Sequence, residues 1–128
     1  MQNENLSLNI EDRLIDLACM CLEVCDLLPN TKAGNNLECQ ISKGAITCAL
    51  LYSDAKAAES KVDFIRRMKI ALKEMLGLRI ILRIVKQKPV VKNEKIDSAI
   101  VEASHLISVV TKSIEVAQGK RTIKGANK

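Results

Sequence analysis

Between Phe64 and Val85 the chain returns an apolar residue at alternating intervals of four and three without a slip: Phe64, Met68, Ala71, Met75, Leu78, Leu82 and Val85. A heptad seam of that length specifies a long helix packed lengthwise along another helix. Ile96, Ile100, Ala103, Ile107, Val110, Ile114 and Ala117 repeat the rhythm. Two earlier segments carry helical stripes of their own. Leu14, Leu17, Cys21, Val24 and Leu28 mark a first helix over about Ile10 to Leu28, and Leu37, Ile41, Gly44, Cys48, Leu51 and Ala55 a second over about Asn36 to Ala55. Pro29-Asn30-Thr31 breaks the first from the second, and residues 53–59 read equally as a continuation or a connection. Ser60 opens the third helix with S-x-x-D, a capping-box variant ending at Asp63, and Pro89 stops it near Lys88. Asn93 is the N-cap candidate of the fourth helix and Gly119 its C-terminal stop.

Aromatic residues make up only 2% of the 128, with no Trp, and five Gly and two Pro leave little turn material. That inventory argues against an all-β fold. The expectation is an all-α, up-down-up-down antiparallel four-helix bundle over residues 10–118, with a flexible N-terminus at 1–9 and a basic flexible tail at 119–128. The first helix is apolar around most of its girth, which needs more than one neighbour and points to a cyclic homo-oligomer.

The net charge of +5 hides a division: residues 1–60 sum to −5 and residues 61–128 to +10. The halves can attract each other, and the excess favours polyanions. The N-terminus lacks the cationic and apolar regions of a signal peptide, and no apolar run approaches a membrane span, so the chain reads as cytoplasmic and not membrane-bound.

Little looks catalytic. His105 lies away from the apolar stripe of its helix and has no orienting partner or reacting group named by the sequence. No Glu-x-x-His motif and no phosphate-binding Gly-rich loop occurs. Cys21 and Cys25 have a metal-ligand spacing, but no second motif completes four ligands. Cys19, Cys21, Cys25, Cys39 and Cys48, all inside apolar helical stretches, read as small buried hydrophobes. The expectation is no enzyme, no metal and no cofactor.

The third helix is distinctive for its cations. Arg66, Lys69 and Lys73 lie opposite the seam, and Arg79, Arg83 and Lys86 lie on its flank. Like charges at these spacings repel, which an anionic partner offsets. These six are the candidate nucleic-acid contacts. Ile65, Leu72, Leu76 and Ile80 sit off the seam as a candidate apolar patch. With Asp12, Asp16 and Glu23 of the first helix they form the candidate interface between copies.

The segment SKVDFIRRMKIALKE resembles the signature of the bacterial four-helix-bundle proteins known as 23S rRNA intervening-sequence proteins, through Ser60, Lys61, Asp63, Phe64, Ile65 and Ile70 to Glu74. Leu27-Leu28-Pro29 is similar to that family's first-helix exit, and Gln40, Thr47 and Ala55 match its second helix. The resemblance spans about Asp16 to Val116. Lys43 and Asp54 stand where the family has Arg and Glu, while Leu51, Gly77 and Ile81 replace Asn, Glu and an aromatic. The resemblance implies a cytoplasmic bacterial protein and a barrel-like homopentamer. It extends to the accessory proteins of diversity-generating retroelements, which bind nucleic acid and a reverse transcriptase through basic surfaces. Two functions follow as expectations: phosphate-directed RNA or DNA binding, or a scaffold ring docking a protein such as a reverse transcriptase or ribonucleoprotein. A small-molecule site in the bundle has no polar constellation to support it.

Overall fold

The computed structural model describes residues 9–88 and 92–120. Within them the chain forms four helices and no strand: α1 (Ile10–Leu27), α2 (Lys32–Lys56), α3 (Lys61–Gln87) and α4 (Glu94–Ala117). The segments expected at 1–9 and 119–128 lie outside the described residues except for Asn9, Gly119 and Lys120.

Each helix packs on its neighbours in the chain and α1 closes the square against α4, with α2–α3 the broadest contact and α1–α4 the narrowest. Ion pairs at the helix ends show the alternation of direction. Lys56 at the end of α2 meets Glu11 at the start of α1 at 3.2 Å, and Lys86 near the end of α3 meets Asp97 at the start of α4 at 2.7 Å. Lys95 joins α4 to Glu23 of α1 at 3.7 Å. The bundle is therefore up-down-up-down.

Heptad spacing puts one face of each long helix inward, and that face is the core. Met68, Ala71, Met75, Leu78, Leu82 and Val85 of α3 are buried, as are Ile96, Ala103, Ile107, Val110 and Ile114 of α4. Among the described residues no polar or charged side chain is buried. Each fully buried Leu, Ile, Val or Met contributes about 1.5–3 kcal/mol relative to exposure.

The helix ends follow local chemistry. The Ser60 hydroxyl accepts from the Asp63 N–H at 3.0 Å, and the Asn93 side-chain oxygen accepts from the Lys95 N–H at 2.8 Å. Gly119, at φ 76°, ends α4 in a Schellman motif. Its N–H reaches the Val116 carbonyl at 3.0 Å, and the Lys120 N–H reaches the Glu115 carbonyl at 3.0 Å.

The second helix starts a turn earlier than its apolar stripe, at Lys32 instead of about Asn36. Thr31 is the reason: its hydroxyl accepts from the Gly34 N–H at 3.0 Å and caps the helix. The connection folds back so closely that any Cβ at Gly34 would collide with the Pro29 carbonyl. Gly77, in contrast, faces open space in mid-helix. Gly34→Ala should therefore cost about 1–3 kcal/mol through a forced backbone shift. Gly77→Ala should add about 0.5–1 kcal/mol by removing helix-interior glycine. Urea unfolding of both variants checks the pair; a Gly34→Ala variant as stable as its parent would refute the tight turn.

Candidate nucleic-acid interface

Opposite its buried seam, α3 turns a second stripe outward. Lys69, Lys73, Leu76, Ile80, Arg83 and Gln87 recur at intervals of four and three, and all are exposed. Lys69, Lys73 and Arg83 have no hydrogen bond or ion pair to another described residue.

The other three candidate contacts, Arg66, Arg79 and Lys86, each have a partner within the chain. Arg66 is exposed but binds Asp63 at 2.6 Å, one turn back on its own helix. Arg67, not singled out from the sequence, reaches Asp54 of α2 at 2.6 Å and Asp63 at 2.8 Å. Hydrogen bonds from Arg66 and then Arg67 hold the Asp63 carboxyl below its ordinary pKa. Lys86 pairs with Asp97 across to α4. Arg79 is half-buried against α4, where its Nη1 donates to the Ser104 hydroxyl at 3.2 Å. Exposed pairs of this kind are worth about 0.2–1 kcal/mol, so Arg66 and Lys86 can exchange partners readily.

Hollows flank the end of α3. One of about 550 Å³ is lined by Ile80, Arg83, Ile84, Gln87 and Lys88. Another of about 340 Å³ lies toward α4, lined by Arg83, Lys86, Gln87 and Ile100. A groove of about 620 Å³ runs between α2 and α3, with Lys43 and Thr47 on one side and Ile70, Lys73 and Ile81 on the other.

The apolar patch of α3 also needs correction. Ile65 and Leu72 are half-buried and pack against the core, because neighbouring helices reach further around α3 than one seam's width. Leu76 and Ile80 remain exposed, at 39% and 51%. Ile70 and Ile84 join them at 44% and 50%; their positions at heptad distance either side of Gly77 carried the signal. On α1, Asp12, Asp16, Glu23 and Asp26 are exposed alongside Ile15, Cys19 and Leu22.

Cys21, Cys25 and Cys48 are buried, but Cys19 and Cys39 are exposed, against the reading of all five as core. Burial pushes the Cys21 and Cys48 thiols up to about 12, so they stay protonated and unsuited to nucleophilic or ligand chemistry at neutral pH. Among the described residues no group of three His, Cys, Asp or Glu is placed to hold a metal ion. His105 is exposed and does have a partner: the Arg13 guanidinium, bridged to Glu102 at 3.1 and 3.2 Å, donates to His105 Nδ1 at 2.8 Å. That cluster ties α1 to α4 across their narrow contact.

No described helix is long and apolar enough to cross a membrane. No protein-family model matches the chain, and no curated protein sequence matches it. Its fold is similar to the crystal structure of a protein of unknown function from the S23 ribosomal protein family of Bacteroides thetaiotaomicron VPI-5482. The two are 20% identical, with a TM-score of 0.75 and coverage of 83% of this chain and 98% of that one. A likeness at that identity concerns the fold.

Proposed function

We propose that the protein is a non-enzymatic, oligomeric nucleic-acid-binding protein that holds phosphates on the C-terminal half of α3. One observation carries the reading: residues 75–93 contain five cations (Arg79, Arg83, Lys86, Lys88 and Lys92) and no Asp or Glu. Arg83 and Lys88 are exposed within that run and lack a protein partner among the described residues. With no Trp, one Tyr and one Phe in the whole chain, base stacking has little to work with, so the contacts are to the backbone.

Copies join, in this reading, through the outer faces of α1 and α3. The carboxylates from Asp12 to Asp26 cover roughly 21 Å of α1, and the stripe from Lys69 to Ile80 covers roughly 17 Å of α3. Ile15 and Leu22 lie within the first face, Leu76 and Ile80 within the second. Two different, complementary surfaces make a heterologous contact that closes into a ring when the rotation allows. A ring of five rests on the resemblance to the intervening-sequence proteins alone. Lys69 and Lys73 then face carboxylates of the next copy, and the acid-free end of α3 remains for phosphate.

Retention on immobilised RNA and DNA at low salt tests the function. Arg83→Glu with Lys88→Glu should abolish it without loss of helicity, whereas substitution of Arg79 or Lys86 also disturbs packing or an ion pair. Binding by the parent should weaken linearly in log–log salt plots, by about 0.7 per phosphate contact on single strands. A parent that binds neither polymer at low salt refutes the reading. The exposed Ile80 and Ile84 beside Arg83 favour the scaffold reading as second, with an acidic, apolar protein partner. Co-purification of a protein that survives nuclease and salt would select it.

A further inference from the structure

Three arginines among the described residues are half-buried: Arg13, Arg67 and Arg79. Arg13 is bridged to the Glu102 carboxylate, and Arg67 is held by Asp54 and Asp63. Arg79 alone of the three has no carboxylate. Its one hydrogen bond among the described residues goes to a neutral acceptor, the Ser104 hydroxyl, and its Nε is buried with no acceptor among them. A half-buried guanidinium without a counter-charge is costly, and a buried N–H left unbonded adds to that cost.

The surroundings are completed by donors. Ser104 accepts from Arg79, so its own O–H is free to donate, and it has no acceptor among the described residues. Arg83 stands one turn further along α3, exposed and without a partner among the described residues, and lines the 340 Å³ hollow with Lys86, Gln87 and Ile100. Ile100 lies one turn from Ser104 on α4, so the hollow continues the line of Arg79 and Ser104 along the α3–α4 seam. The facing carboxylate, Asp97, is already spent on Lys86.

We infer that the α3–α4 seam at Arg79, Ser104 and Arg83 is a seat for a phosphodiester group of a bound nucleic-acid strand. The inference deepens the nucleic-acid reading above and rests on it. A phosphodiester offers two unesterified oxygens, which suit the Arg79 guanidinium edge and the Ser104 hydroxyl together. The five cations and no acids of residues 75–93 favour a ligand with repeated charge over a single carboxylate. Arg79 fixes position here and Arg83 supplies long-range attraction.

The test combines two probes on the full chain. Inorganic phosphate is titrated while the Arg79 Nε–H resonance is followed, and a short single-stranded RNA is titrated into the parent, Arg79→Lys and Ser104→Ala. The resonance should move saturably with phosphate. Arg79→Lys should bind RNA about tenfold more weakly with an unchanged salt slope, because charge is kept and the fork is lost. Ser104→Ala should lose a smaller factor. If the parent binds RNA but Arg79→Lys binds it equally well and phosphate leaves the resonance unmoved, the seat is wrong and the nucleic-acid reading survives. If phosphate moves the resonance but the parent binds no RNA, that reading fails, and the phosphodiester assignment with it. A resonance that responds to protein concentration and not to phosphate would assign the acceptor to a second copy's carboxylate and overturn the seat.

Discussion

Leu78→Ala is expected to lower the unfolding free energy by about 2–5 kcal/mol, the range for truncating a large buried aliphatic. Leu78 is 2% exposed and sits in the broadest helix contact of the bundle, α2–α3. Its facing residue is Gly44, where an added Cβ would lie 3.7 Å from Leu78 Cδ1. Glycine has no side chain to move into the vacated space, so the cavity persists. The same geometry supplies a control. A Cβ at Gly44 is in ordinary contact, so Gly44→Ala is tolerated alone and should recover part of the loss in the double variant, a coupling visible in a double-mutant cycle. Urea denaturation at constant m-value measures both. A loss under about 1 kcal/mol, below the core range, would mean that Leu78 is not packed between the helices.

The second large effect concerns assembly. The parent should scatter light as several times 14.1 kDa at micromolar concentration. Leu76→Asp with Ile80→Asp should bring it to a folded species near 14.1 kDa, with helical circular dichroism intact. Both side chains are substantially exposed in the single chain, so a carboxylate at either site meets water there and desolvation only between copies. Leu72→Asp discriminates: Leu72 packs against the core, so that change should unfold the chain instead of dissociating it. A parent that is a well-folded monomer refutes the ring and the use of Lys69 and Lys73 between copies.

Most of this fold was legible because helices report their buried face through spacing. The α3 seam was readable from Met68 to Val85 and the α4 seam in part: Phe64, Ile100 and Ala117 are only half-buried, whereas Ala99 and Leu106, off the repeat, are fully buried. The caps Ser60 and Asn93 and the stop at Gly119 were readable because each depends on chemistry within a few positions. The start of α2 was not: Thr31 and Gly34 cap and clear the turn, but Lys-Ala-Gly-Asn-Asn lacks an apolar repeat to reveal it. The candidate interface was legible only as far as one helix wheel reaches. That wheel places Lys69 and Lys73 outward correctly, but it puts Arg83 on the flank of the seam, whereas Arg83 is exposed on the outward stripe. It cannot show that Arg79 leans on Ser104, that Lys86 meets Asp97, or that Arg13 bridges Glu102 and His105, because those contacts depend on how two helices are rotated against each other. The half-burial of Ile65 and Leu72 escaped for the same reason.

The square arrangement puts α1 and α3 at diagonal corners, with neither forming the other's wall. The exposed carboxylates of α1 and the exposed cations of α3 therefore point in opposite directions, and the folded chain carries an electric dipole across the bundle, perpendicular to its axis. In the proposed assembly such a dipole would exert a torque during approach, turning α3 toward a polyanion and α1 toward the α3 of another copy before any surfaces touch. Orientation becomes part of the encounter and is not left to repeated collision. Because the screening length is about 8 Å at physiological ionic strength, this guidance acts mainly over the last layer or two of solvent. Added salt would slow productive association before it loosened the contacts that hold the product together.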